Sequence, residues 1–181
     1  MILLVGNGSS VIDEPLGGLV DSFDHVVRFN SFKTKGLEQW TGSRTDTWFT
    51  CNLCHINKSF PEIIWHSWEK DEKKDKNFAK LKSKHSRSKK LSREIIDQAI
   101  EQFPRGIDYR SPSTGLLAIF YFLTKAKKVC LHGFDWWSRS KHHYADNEIR
   151  GTLHKPDIEM RIICNLIFSE KVTFLDPSRL K

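Results

Sequence analysis

Short apolar runs alternate along this chain with longer segments of helical period. Ile2-Leu3-Leu4-Val5 is apolar at every position, as a strand buried on both faces requires, and it stops at Gly6-Asn7-Gly8-Ser9-Ser10. A short helix is predicted around residues 14–20, and Asp24-His25-Val26-Val27-Arg28-Phe29 reads as a second strand. Residues 45–50 and 62–66 are further strand candidates, rich in Trp, Phe, Ile and Thr. Residues 69–90 contain no Pro or Gly and little that is apolar, so they read as a mobile excursion or a solvated helix. Ser92 can cap a helix reaching Phe103, with Ile95, Ile96, Ala99, Ile100 and Phe103 as its stripe. Pro112-Ser113-Thr114-Gly115 opens an apolar helix through about Lys125, and Val129-Cys130-Leu131-His132 is a buried strand ended by Gly133. A long polar loop follows, from Phe134 to His154. Pro156 suits the first position of the last helix, where Ile158, Ile162 and Leu166 share a face, and residues 171–175 form the closing strand. Strands alternating with helices imply an α/β fold with a mostly parallel central sheet and helices on both faces.

With 181 residues the chain forms one domain, residues 1–181, large enough to fold without a disulfide or metal staple. No run of 18 apolar residues is present, and Met1 leads straight into the first strand, so neither a membrane span nor a secretory leader is expected. The four cysteines are then expected to be reduced thiols of a cytoplasmic protein. Cys51-x-x-Cys54 with His55 has zinc-like spacing but lacks a second close pair, so ordinary core or loop cysteines are the favoured reading. Residues 69–93 hold eleven Lys or Arg against four Asp or Glu, which accounts for the whole formal charge of +7. The basicity is therefore a local insertion on an otherwise nearly neutral chain. Phe78 is the one aromatic in its polar run, too few for a nucleic-acid stacking platform. Solvated charge is the plain reading; attraction to anionic lipid or lipopolysaccharide, at about 1 kcal/mol per basic residue, is the functional one.

Three constellations carry chemistry. The turn Gly6-Asn7-Gly8-Ser9 lets backbone N–H groups approach a phosphate, yet it lacks the third glycine of a dinucleotide fingerprint and the Gly-Lys of a P-loop. Ser113-Thr114-Gly115 sits at a helix N-terminus, where free N–H groups favour anions and ribose; a plain helix cap would look the same. His142-His143-Tyr144 is followed by His154, directly before a helix whose first turn carries Asp157 and Glu159. The helix N-terminus disfavours an imidazolium there while the carboxylates favour it; a neutral His154 would suit a general base.

Together these segments resemble the sialylmotifs of the sialyltransferase family. Val5-Gly6-Asn7-Gly8-Ser9 with Val27-Arg28-Phe29-Asn30 and Gly42-Ser43-Arg44-Thr45 resembles the large motif. Pro112-Ser113-Thr114-Gly115 with Val129-Cys130-Leu131-His132-Gly133-Phe134 resembles the small one. His143-Tyr144 is similar to the third motif, and His154 with Glu159 to the very small motif. Other features look like the compact bacterial sialyltransferases. Residues 56–104 lie outside the resemblance.

The resemblance implies a GT-A-like variant fold with a small lid, binding CMP-sialic acid without a metal or other cofactor. It implies donor contacts from Asn7, Gly8, Ser9, Asn30, Asn52, Ser113, Thr114, Gly115, Gly133 and Phe134, a catalytic base in His154, and a hydrogen bond to the departing phosphate from His143 or Tyr144, with His142 as a substitute. The partner would be a glycan acceptor, free or membrane-borne, in lipopolysaccharide or capsule synthesis. Absence of an Asp-x-Asp pair agrees with a metal-free site. Where animal sialyltransferases carry a cysteine before the large motif this chain has Ile2 and Leu3, so the disulfide that the resemblance implies for Cys130 has no counterpart here. That departure favours a cytoplasmic enzyme, peripheral at a membrane's inner face, over a Golgi one. A CMP-Kdo transferase of the same fold and a non-catalytic basic module binding nucleic acid or membrane are the alternatives.

Overall fold

The computed structural model describes residues 1–67, 72–106, 112–136, 143–144, 154–176 and 178. Seven strands form one sheet: Ile2–Val5 (β1), His25–Phe29 (β2), Thr47–Thr50 (β3), Glu62–Trp65 (β4), Lys89–Lys90 (β5), Val129–His132 (β6) and Val172–Phe174 (β7). Their order is β5-β4-β3-β2-β1-β6-β7, and every one of these pairings is parallel. The helices are Gly17–Asp21 (α1), Glu38–Thr41 (α2), Glu72–Lys84 (α3), Arg93–Ile100 (α4), Thr114–Leu123 (α5) and Pro156–Phe168 (α6), with a 3-10 turn over Ser9–Ile12.

The unbroken apolar character of β1 follows from layers on both sides of it. Leu4 joins Val27, Phe49, Ile64 and Leu131 on one face, packed against Ile95, Ile96 and Ala99 of α4, Leu116 to Ile119 of α5, and Ile162 and Ile163 of α6. Leu3 and Val5 point the other way, to Val11, Leu19, Val20 and Val26. Further along that second face Trp48, Ile63 and Trp65 pack on Leu81 of α3. Arg28 is buried in β2, and no carboxylate among the described residues forms an ion pair with it. Its Nε donates to the Arg44 carbonyl at 3.0 Å and Thr45 Oγ1 at 3.1 Å, and its Nη2 to the Thr41 carbonyl at 2.6 Å. The carboxylate of Asp21 receives the Ser43 and Arg44 N–H groups, so Arg28 and the Gly42–Thr45 loop brace one another.

Several details depart from the sequence expectations. The helix expected at residues 14–20 is confined to Gly17–Asp21, after Pro15, and a 3-10 turn over Ser9–Ile12 precedes it. Residues 72–84 form the helical alternative, and the basic segment continues as a β4–α3–β5 crossover. Strand β5 is two exposed lysines, a short charged edge that carries no apolar signal and discourages pairing with another sheet. Ser92 makes no side-chain cap, and α4 stops at Ile100; Phe103 is reached by a turn whose N–H donates to Ile100 O at 3.0 Å. Five basic side chains of the crossover hold protein acceptors: Lys74 on Cys51 O, Lys82 on Ser88 O, Lys84 on Asn57, Lys89 on Glu62 and Lys90 on Asp75. Fewer charges are thus available to an anionic surface than the composition suggests. No helix among the described residues is long and apolar enough to cross a membrane.

Leu81 is 0% exposed beneath Trp48 and Trp65. Leu81→Ala is expected to cost about 2–5 kcal/mol in chemical denaturation. An unchanged midpoint would mean that the basic segment is not part of the packed fold.

Candidate functional site

Strand order reverses on either side of β1: β2 to β5 lie outward on one flank, β6 and β7 on the other. At such a switch point the loops leaving two neighbouring strands diverge and open a crevice at their carboxyl ends. The turns after β1 and β6 are drawn together there. Gly6 N–H donates to His132 O at 2.7 Å and Gly8 N–H to Gly133 O at 3.0 Å. A Cβ on Gly6 would lie 2.3 Å from the Gly133 carbonyl oxygen, so only glycine permits this approach. Gly133 itself has φ +70°, in the left-handed region.

One cavity fills the crevice. Its walls include Gly6, Asn7 and Gly8 from the first turn, Asn30 after β2, Ser113, Thr114 and Gly115 at the start of α5, Gly133 to Trp136 after β6, and His143, His154 and Glu159. Ten of the residues expected at the site are therefore brought to one place: Asn7, Gly8, Asn30, Ser113, Thr114, Gly115, Gly133, Phe134, His143 and His154. Ser9, Asn52 and Tyr144 are not on its wall. The Ser9 hydroxyl donates to Asp135 at 3.4 Å, while Asn52 turns back on its own loop, its Oδ1 accepting from Cys54 N–H at 3.1 Å. The Tyr144 hydroxyl donates to Lys33 O at 2.6 Å and accepts from Lys33 N–H at 3.0 Å, and the Tyr144 N–H donates to Asn7 O at 2.9 Å. Burial pushes this phenol up from its ordinary value, so it stays protonated at neutral pH. Tyr144 is thus an anchor that straps its segment over the Asn7 turn, with His143 facing the cavity beside it. His142 lies outside the described residues.

Three side chains shape the wall in ways their sequence positions do not announce. Glu159, 2% exposed on α6, accepts from Ser113 N–H at 2.8 Å and from Ser113 Oγ at 2.5 Å. The same hydroxyl accepts from Leu116 N–H at 3.2 Å, a side-chain N-cap. Ser113 is consequently occupied by the protein, and the first-turn amides of Thr114 and Gly115 are what α5 offers to a ligand. Asp135 approaches the glycine turn from β6, and a Cβ on Gly8 would lie 2.6 Å from its carboxylate. The third, Trp136, adopts φ 45°, as Asn30 does at φ 43°; both are uncommon for non-glycine residues and both line the cavity. Asp135 and Trp136 directly follow Gly133-Phe134, so proximity to that turn was the available signal. Asn7 donates to Phe29 O at 3.1 Å and Ser31 O at 3.0 Å, and its buried Oδ1 has no partner among the described residues. Both cysteines of the Cys51-x-x-Cys54 pair touch Asn30, through its side-chain oxygen at 3.5 Å and its carbonyl at 3.1 Å.

An open parallel α/β sheet with a polar, glycine-lined crevice at its switch point and a helix start aimed into it defines a protein built to receive a phosphorylated or otherwise anionic ligand. The model of glycosyltransferase family 29 (sialyltransferase) matches residues 3–102, more than half of the chain, and the chain belongs to that family. A curated relative, the Mus musculus CMP-N-acetylneuraminate-beta-galactosamide-alpha-2,3-sialyltransferase 2, is 29% identical over 192 residues, covering 93% of this chain and 55% of its own length. The Homo sapiens CMP-N-acetylneuraminate-beta-1,4-galactoside alpha-2,3-sialyltransferase is 44% identical over 43 residues, which is 24% of this chain and 12% of that one. The chain thus spans about half the length of the first of these relatives. Among solved structures, a mammalian sialyltransferase superposes with a TM-score of 0.74 at 21% identity, covering 96% of this chain and 68% of that one. The sialyltransferase CST-II in complex with trisaccharide acceptor and CMP gives 0.64 at 16% identity, covering 97% and 81%. Both superpositions establish the shared fold, the GT-A-like variant expected from the sequence.

Two buried imidazoles make the fold acid-sensitive. Burial, with Lys74 and His154 nearby, pulls the His66 ring down from 6.5 to about 3, and burial pulls His132 down to about 4. The unfolded chain takes up these protons below about 6.5 and the folded one does not, so stability is present above that pH and lost as pH falls. Each ring is expected to add up to about 1.4 kcal/mol per pH unit to the acid slope. Denaturation between pH 6.5 and 4.5 checks this: His66→Phe should flatten the slope by one ring's share, and an unchanged slope would contradict it.

Proposed function

We propose that this chain transfers sialic acid from CMP-sialic acid to a glycan hydroxyl by a single inverting displacement with His154 as general base. The observation that carries the reading is the convergence on one crevice of the glycine turn at Asn7, the start of α5 and the imidazole of His154. Family membership supplies the donor class, and the galactoside acceptors named for the curated relatives are the first acceptors to assay.

In this reading the donor's phosphate lies against the Asn7-Gly8 turn and the Thr114 and Gly115 amides. The acceptor oxygen attacks the anomeric carbon on the face opposite the phosphate. As the bond from that carbon to the phosphate oxygen breaks, the acceptor proton passes to His154 and CMP departs with the bonding electrons. Proton transfer of this kind contributes about 10²–10⁴-fold in rate. In this reading His143, which lines the cavity, hydrogen-bonds the departing phosphate; the Tyr144 hydroxyl is held by Lys33. A monophosphate leaving group develops less charge than a diphosphate, so fixed N–H and hydroxyl donors suffice without a divalent ion.

His154→Ala is expected to lower transfer by about 10²-fold or more while CMP affinity, measured by calorimetry, is unchanged. Loss of affinity with turnover intact would remove the base assignment. EDTA should leave transfer unchanged, whereas a strict requirement for added manganese would contradict the metal-free site. CMP-Kdo run in parallel with CMP-sialic acid identifies the donor sugar.

A further inference from the structure

His66 closes strand β4, is 1% exposed, and does not line the cavity. Its Nε2 nevertheless lies 2.9 Å from Oγ1 of Thr114, which does. The ring rests at 5.6 Å from Phe49, and its Nδ1 has no partner among the described residues. A buried polar side chain reaching a cavity residue from behind has a direction, and the hydrogen bonds around it fix which.

The Cys51 amide can only donate, and it donates to Asn30 Oδ1 at 3.0 Å. This sets the orientation of the Asn30 side chain and turns its Nδ2 toward Thr114, 3.0 Å away, so Thr114 Oγ1 is the acceptor of that bond. Two states of the neutral His66 ring remain. With the proton on Nδ1, Nε2 accepts the Thr114 hydroxyl and a buried N–H is left without an acceptor. With the proton on Nε2, Thr114 accepts from both Asn30 and His66 and only an imidazole lone pair is orphaned. Buried donors are left unpaired less often than acceptors, and the second state is favoured. In that state the Thr114 proton has no acceptor among the described residues and is left to the cavity that Thr114 lines, next to the first-turn amides of Thr114 and Gly115.

We infer that His66 is a positioning residue for the donor subsite: by donating to Thr114 Oγ1 it turns that hydroxyl into a fixed hydrogen-bond donor for an anionic or carbonyl oxygen of the nucleotide. The inference rests on the CMP-donor reading above. Full burial keeps the ring neutral across the working pH range, so the arrangement is constant. His66 touches no substrate in this scheme; its effect travels through one hydroxyl.

Calorimetric titration with CMP tests it on four variants of the full chain. His66→Phe fills the space without a donor and is expected to weaken CMP binding about tenfold. His66→Gln carries an N–H near the Nε2 position and is expected to restore affinity to within about threefold of wild type. Thr114→Val should weaken binding about as much as His66→Phe, and adding His66→Phe to Thr114→Val should cost nothing further. In transfer assays the loss should fall on the KM for donor with kcat retained. Wild-type affinity in His66→Phe would overturn the inference alone, as would fully additive losses in the double variant, which would mark His66 as packing only. No CMP binding by the wild type would remove the donor reading and this inference with it.

Discussion

The close approach of two backbone turns is the constraint on which the rest of the structure depends. The chain leaves β1 at Gly6 and β6 at Gly133, and the first turn donates to the second two hydrogen bonds whose close approach a side chain at Gly6 would prevent. Everything at the crevice is referenced to that contact. The Asn7 turn takes its height from it, Phe134 and Asp135 leave from it, and Tyr144 straps its own segment to Asn7. Because the site stands at the reversal of strand order, its frame lies in the interior of the sheet, where Leu3, Leu4 and Leu131 are fully enclosed.

A second junction ties the helices to that frame. The Glu159 carboxylate of α6 holds Ser113, the N-cap of α5, so the two helices bounding the cavity are tied together near their starts. It also assigns labour within Ser113-Thr114-Gly115: the serine is committed to Glu159 and the Leu116 amide, and the threonine and glycine are left to the cavity. The same division runs through the segments that resemble the large sialylmotif. Asn7, Gly8 and Asn30 reach the cavity, whereas Arg28 and the Gly42–Thr45 loop hold one another several residues away.

Much of the sheet was legible in the sequence because burial on both faces leaves uninterrupted apolar runs, as in β1 and β6. The start of α5 and Pro156 at the head of α6 were legible from their turn chemistry. Strand β5 was not, since two lysines at a sheet edge are held by backbone pairing and carry no hydrophobic period. Helix α3 was legible only as one of two options, because the contacts that fix it, Leu81 and Phe78 against the Trp48 and Trp65 cluster, come from two apolar side chains in a charged run. At the site, residues adjacent to glycines were found from the sequence. Asp135 and His66 were not, for their roles come from partners 126 and 48 positions away, Ser9 and Thr114. Such pairings exist only once the sheet has formed.

The central claim is that the switch-point crevice is the nucleotide-donor subsite, and diffraction from crystals grown with CMP tests it most directly. The expected result is the phosphate against the Asn7-Gly8 turn and the nucleoside along the start of α5 at Thr114 and Gly115. Nucleotide bound elsewhere on the molecule, with this crevice empty at saturating CMP, would contradict the account.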